Sequence, residues 1–149
     1  MEKRLMMTLE PKPKERPRAA IIAGRARIFT PKTTEAYEKE IRKVWVKSFG
    51  ETPEEGPLRV RIYFGLPIPK SATKANKLQM LQKKVFPTKR PDLDNLCKAV
   101  LDALNEVAYK DDSQIVTMLS RKNYSDVPYV KVILTDEKPK EEVDTDGVS

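Results

Sequence analysis

Histidine is absent from the chain. That excludes His-ligated metal centres, Ser-His-Asp triads and imidazole general bases together. Any metal must then rest on oxygen donors, carboxylates above all, a set that favours Mg²⁺ or Mn²⁺ over Zn²⁺. Cys97 is the single cysteine, so no internal disulfide forms, in keeping with a reducing cytoplasm. No apolar run approaches the roughly 18 residues of a bilayer span, and MEKRLMMTLE lacks the apolar stretch of a secretory signal. A cytoplasmic protein without membrane association is expected. The five glycines form no phosphate-cradling loop, so no small-molecule cofactor is expected.

What is present is charge, unevenly spread. The net charge is +7 over 149 residues, a length that suits one domain with a real core. Residues 136–149 hold six acidic and two basic residues, have little to bury, and read as a disordered acidic tail after a domain at 1–135. Residues 70–90 hold seven lysines and arginines and no acid, among them Lys83, Lys84, Lys89 and Arg90. Such a block suits a polyanion, nucleic acid being the commonest. A solvated lysine-rich loop has the same composition, and charge alone does not separate the two.

Hydrophobic periodicity predicts an α/β or α+β domain of four to six strands and two or three helices. Residues 4–9 read as a strand, and PKPKERPR after them is kept irregular by its prolines. Residues 19–29 read as a hairpin turning near Gly24. Thr33 or Thr34 is the expected N-cap of a helix that runs through Phe49 to a stop at Gly50, with Tyr37, Ile41, Val44, Trp45 and Phe49 on its core side. Leu58, Val60, Ile62 and Phe64 alternate as a strand with one buried face. The basic block follows as a short helix and a loop, then a helix over 94–107. Strands at 115–124 and 129–135 close the domain, with Ser125, Asp126 and Pro128 turning between them.

The chemistry concentrates in RPDLDNLCKAVLDALNEVAYKDDSQI, residues 90–115. Phosphodiester hydrolysis without histidine or an activated cysteine leaves a divalent metal as the available route, and a metal needs convergent carboxylates. Asp92 and Asp94 lie two apart at an extended helix entry, where such residues point the same way. Plotted at about 100° per residue, Asp94, Asn95, Lys98, Asp102, Asn105 and Glu106 share an arc of about 120°. Leu96, Val100, Leu101, Leu104 and Val107 take the other side. Lys98 lies one turn from Asp94, placed to orient a water or hold a phosphate oxygen. Cys97, on the apolar side, reads as a small buried residue. Asp111 and Asp112 follow the helix. A helix of 14 residues is about 21 Å long, so this pair reaches the first only if the chain folds back or a symmetry mate approaches. The bland reading uses the same residues: Asp92 or Asp94 as an N-cap, Lys98 in surface pairs.

The whole string resembles the RusA family of Holliday junction resolvases, through its DxDN-x-x-K helix, the DALN residues and the DDSQ turn. PKPKERPRA and RIFTPKTTEAYEKEI are similar to that family's N-terminal part, so the likeness covers most of residues 5–135. It implies a homodimeric mixed α/β endonuclease that cuts four-way DNA junctions by paired nicks with Mg²⁺ or Mn²⁺, in DNA recombination and repair. By position, Asp92, Asp94 and Asp112 match the family's metal-binding aspartates and Lys98 the lysine needed for cleavage; Asp111 would assist Asp112. The block at 70–90 looks longer than in compact members, so Lys83, Lys84, Lys89 and Arg90 are assigned to DNA on charge. Two further readings are a DNA-binding module without catalysis, against which the complete acidic set argues, and a less selective nuclease of branched DNA.

Overall fold

The computed structural model describes residues 1–29 and 31–139. Residues 140–149, most of the acidic tail, lie outside the described residues. The elements are β1 (Glu2–Met7), a hairpin of β2 (Arg18–Ile22) and β3 (Arg25–Phe29), α1 (Lys32–Phe49), β4 (Leu58–Pro67), α2 (Lys74–Leu81), α3 (Leu93–Ala103), a 3-10 turn at Asp112–Gln114, β5 (Ile115–Ser125) and β6 (Tyr129–Asp136). The fold is α+β, as expected: a mixed four-stranded sheet in the order β1-β6-β4-β5, a separate two-stranded hairpin and three α-helices. None of these helices is long and apolar enough to cross a membrane among the described residues.

β4 organises the sheet. It pairs antiparallel with β6 and parallel with β5, so β5 and β6 are consecutive in the chain but separated in space. A parallel pair needs a crossover, and here α2 and α3 supply it. The alternation read from the sequence holds: Leu58, Val60, Ile62 and Phe64 are fully buried. They meet Ile41 and Trp45 of α1 and Leu96, Ala99, Val100 and Ala103 of α3 in one core on one side of the sheet. α1 and α3 cover that side, while α2 packs on the edge strand β5.

Several boundaries differ from the sequence reading, β1 among them, which spans Glu2–Met7 rather than residues 4–9. The N-cap position of α1 is Pro31 and carries no side-chain cap bond; Thr34, expected there, is buried inside the first turn. α3 stops at Ala103 rather than Val107, because Leu104 is drawn into the core and Glu106 takes a left-handed φ of 73°. The turn at residues 126–128 joins β5 to β6 as expected, and it passes the end of β4, which lies between the two strands. β6 also runs one residue further than expected, and the N–H of Glu137 still bonds to the carbonyl of Pro57 at 3.1 Å.

The hairpin stands apart from this sheet. Cross-strand register puts Ala19, Ile21, Ala26 and Ile28 on one of its faces, and all four are exposed.

The passage from β5 to β6 requires Gly65 at the end of β4. A Cβ there would overlap the Tyr129 ring and press on Ser125. Gly65→Ala is therefore expected to lower stability by about 1–3 kcal/mol, the usual cost of overpacking. Urea unfolding followed by fluorescence of the buried Trp45 checks this, and Gly65→Ala with Tyr129→Ala should recover part of the loss.

Candidate active site

The first carboxylates sit where the chain enters α3. Asp92 occupies the N-cap position with extended backbone (φ −69°, ψ 139°), yet its side chain makes no cap bond. The Asp94 carboxylate accepts from the N–H of Asn95 at 2.9 Å. Both residues are exposed. The capping role that the bland reading gave Asp92 is thus unfilled, and its oxygens remain open to solvent. The entry itself is held from two sides. Lys122 of β5 donates to the carbonyls of Lys89 and Pro91 at 2.9 and 2.8 Å. The N–H of Lys14 donates to the carbonyl of Asn95 at 2.9 Å, which lays the proline-rich segment over the first turn of α3.

The chain then folds back, as the sequence required. After Ala103 it turns tightly: Tyr109 is fully buried and its hydroxyl donates to the carbonyl of Leu101 at 2.7 Å. Burial, together with the nearby Asp112, Asp102 and Asp111 carboxylates, pushes that phenol far above the ordinary range and keeps it neutral. The Asn105 side chain accepts from the N–H of Asp112 at 3.1 Å. The result places the Asp112 carboxylate 3.9 Å from the Lys98 ammonium.

Lys98 is the meeting point of the two segments. Its ammonium pairs with Asp102 one turn along α3 at 2.8 Å and faces Asp112. The bond to Asp102 raises its pKa, with the two carboxylate charges adding to that and modest burial opposing it. Asp102 also pairs with Lys14 at 3.2 Å, and Lys14 pairs with Glu38 of α1. Burial works against the charge of Lys14, but its bonds to Glu38 and Asp102 prevail and its pKa is raised. Lys14 and Glu38 support the site without being part of the motif, whereas Asp102 and Asn105 are the two polar residues of its DALN stretch. The signal for Asp102 was available in its i+4 spacing from Lys98.

The DDSQ turn divides its labour. Asp111 caps it, accepting from the N–H of Ser113 at 3.1 Å, while Gln114 accepts from the N–H of Asp111 at 3.2 Å to complete a capping box. Gln114 also donates to the carbonyls of Glu54 and Gly56, both at 3.0 Å, and so anchors the turn to the loop before β4. Asp111 therefore acts on the turn itself, and Asp112 is the carboxylate that points to Lys98.

The basic block is split. Lys89 and Arg90 stay near the entry to α3. Arg90, Asp92 and Asn95 line a cleft of about 670 Å³ together with Lys12, Lys14 and Arg16 of the proline-rich segment. Lys83 lies elsewhere, on the side of the sheet away from α3 with Arg121 and Lys131. Lys84 is exposed. Cys97 is buried, as expected: its thiol donates to the Ser120 hydroxyl at 3.1 Å, and burial raises its pKa, which suits a packing residue.

The donor chemistry of Asp92, Asp94 and Asp112 suits a hard divalent cation, since all are carboxylates at least partly open to solvent. Among the described residues, no three acidic or thiol side chains are gathered closely enough to hold a metal ion. The structure thus brings Asp112 to the α3 lysine without closing a complete coordination shell.

A mixed sheet thus presents exposed carboxylates beside a cation-lined cleft. The family described as Endodeoxyribonuclease RusA matches residues 8–135. The chain is also 35% identical over 127 residues to the protein named "Uncharacterized protein YqaN" of Bacillus subtilis (strain 168), a match covering 84% of this chain and 89% of the relative. The chain belongs to the RusA endodeoxyribonuclease family.

The capping bonds hold the Asp111 carboxyl below the ordinary value of 3.8. A depressed carboxylate contributes stability above that pH and loses it as pH falls through the folded-state value. Wild type should therefore be more stable than Asp111→Asn at neutral pH, and the difference should vanish on acidification below about pH 3.8. Urea midpoints across pH, read by Trp45 fluorescence, check this.

Proposed function

We propose that this endonuclease resolves four-way DNA junctions by paired, metal-dependent nicks as a homodimer. The observation that carries the reading is the placement of Lys98 between Asp102 and Asp112, one turn from Asp94, close to a cleft lined with cations. Asp92, Asp94 and Asp112 would hold Mg²⁺, with Mn²⁺ as a substitute. When bound, the ion supplies charge for the phosphate and a more acidic water. Lys98, kept protonated by its carboxylate neighbours, contacts a non-bridging oxygen of the scissile phosphate and stabilises charge developing there. Lys14 fixes Asp102, which in turn fixes the reach of Lys98. Lys12, Arg16, Lys89 and Arg90 hold the DNA backbone without reading bases.

Two nicks related by symmetry call for two equivalent sites. A surface for a second copy is supported by apolar exposure on α2 and the edge strand β5, which pack against each other. Leu78 is 56% exposed, Val116 62%, Met118 49% and Leu119 49%. A long, apolar edge strand left open is a site for pairing with another chain.

Labelled four-way junction and linear duplex, each with Mg²⁺ and with EDTA, test the activity. Wild type should cut the junction only with the metal. Asp94→Asn should bind it without cutting, and Lys98→Ala should lose about 10²–10³ in rate, as when one charge-stabilising donor is removed. Equal cleavage by Asp94→Asn removes that residue from the site, and equal cutting of duplex removes junction selectivity. Separately, sedimentation should report a dimer for wild type and monomer for Met118→Lys with Leu119→Glu; a monomeric wild type rejects the dimer.

A further inference from the structure

We propose that the face of the four-stranded sheet away from α3 is a second contact surface for DNA backbone phosphates. It rests on the reading of a branched DNA substrate and adds to it a surface separate from the cleft at Asp92.

The register of the sheet builds this face. Where Ile62 and Phe64 of β4 enter the core, Arg61 and Tyr63 point the other way. Arg61 lies opposite Ile133 of β6, which pairs with Arg4 of β1. Tyr63 lies opposite Lys131 of β6 on one side and Arg121 of β5 on the other. Each strand thus contributes to one depression of about 310 Å³, lined by Arg4, Arg61, Lys131 and Arg121, with Lys83 reaching it from the end of α2. Glu2 offsets part of the charge, pairing with Arg4 at 2.9 Å and facing Arg61 at 3.9 Å. Lys83, Arg121 and Lys131 have no carboxylate within ion-pair distance among the described residues.

Two further observations point to an occupant. Asn123 lines the depression with only 3% exposure, and its side-chain oxygen has no hydrogen-bond partner among the described residues. A buried amide with an unused polar atom is completed by bound water or ligand. Lys83 is the second. The N–H groups of Lys83 and Lys84 close the end of α2 on the carbonyls of Met80 and Gln79, and Lys83 sits at φ 60°, where glycine is the usual residue. A lysine kept in that backbone position carries its charge to this face.

The occupant is anionic. A second copy docked here about a twofold axis would set these cations against their own images, an arrangement that opposes association. Arginine, lysine and tyrosine together supply the donors by which proteins grip DNA phosphates. Cations on both sides of one sheet fit a substrate with several duplex arms.

Anisotropy of a labelled four-way junction in EDTA, from about 50 to 200 mM salt, tests this. Arg121→Gln with Lys131→Gln should weaken binding at least about tenfold and lower the salt slope by about 2, one for each phosphate contact. In Mg²⁺ the loss of cleavage should fall on KM. Arg121→Lys with Lys131→Arg should restore the slope. Lys83→Gly should lower the slope by about 1 while its Tm does not fall, because glycine relieves the left-handed backbone. Wild-type affinity and slope in Arg121→Gln/Lys131→Gln and in Lys83→Gly would overturn the proposal. So would a loss that the charge-conserving pair fails to restore. Unchanged DNA binding with salt-sensitive binding of polyglutamate would assign the face to an acidic protein and overturn it as well. Asp94→Asn separates the two readings, since it removes cleavage and leaves affinity and slope intact.

Discussion

Lys98 places its ammonium between carboxylates from two parts of the chain, Asp102 on its own helix and Asp112 on the returning turn. Acids crowded on one side of a short helix repel one another, and a central cation is the simplest local means of offsetting that repulsion. The contact is possible only because α3 stops early. Had the helix run on to Val107, Asp112 would emerge about a turn further away. Burial of Leu104 and Tyr109, with the left-handed Glu106, turns the chain back, and Asn105 receives the N–H that fixes Asp112. The core therefore sets the position of a solvent-facing carboxylate through the place where it ends a helix.

Much of this was readable before any coordinates. The alternation of β4, the apolar stripe of α1, the amphipathic α3 and the buried Cys97 follow from periodicity, which is local. The motif identified the family and the stretch proposed to carry the chemistry. What periodicity missed has distant causes. The end of α3 depends on Tyr109 packing under the helix, and the position of the DDSQ turn depends on Gln114 bonding to the carbonyls of Glu54 and Gly56, nearly 60 residues earlier. Ser125, Asp126 and Pro128 mark a turn, but their composition cannot show that β4 lies between the strands they join. Convergence of Asp92, Asp94 and Asp112 on one ion was expected from the resemblance and is a proposal; the structural part is the placement of Asp102 and Asp112 beside Lys98.

The basic block shows the same limit in electrostatic form. Read along the chain, residues 70–90 are one uninterrupted patch. Folded, α2 and its reversal at Lys83 send the cations to different sides of the sheet, Lys83 to the open face and Arg90 to the cleft beside Asp92. Charges from β1, β4, β5 and β6, unremarkable singly in the sequence, join Lys83 through strand register. One sheet thus has an apolar side closed by helices and a polar side rich in arginine and lysine.

The pairing of β1 with β6 also governs when the protein can exist as a folded object. Glu2 lies opposite Thr135, and the Met1 ammonium meets Asp136 at 2.8 Å. β1 therefore finds its partner only when β6, more than a hundred residues further along, is in place. Contacts of such long sequence separation slow folding, because loop closure must precede the gain from pairing. During synthesis β1 and the parallel β4–β5 pair stay incomplete while the cationic segments are already made. The Lys98–Asp112 arrangement forms only once the DDSQ turn has docked on the carbonyls of Glu54 and Gly56.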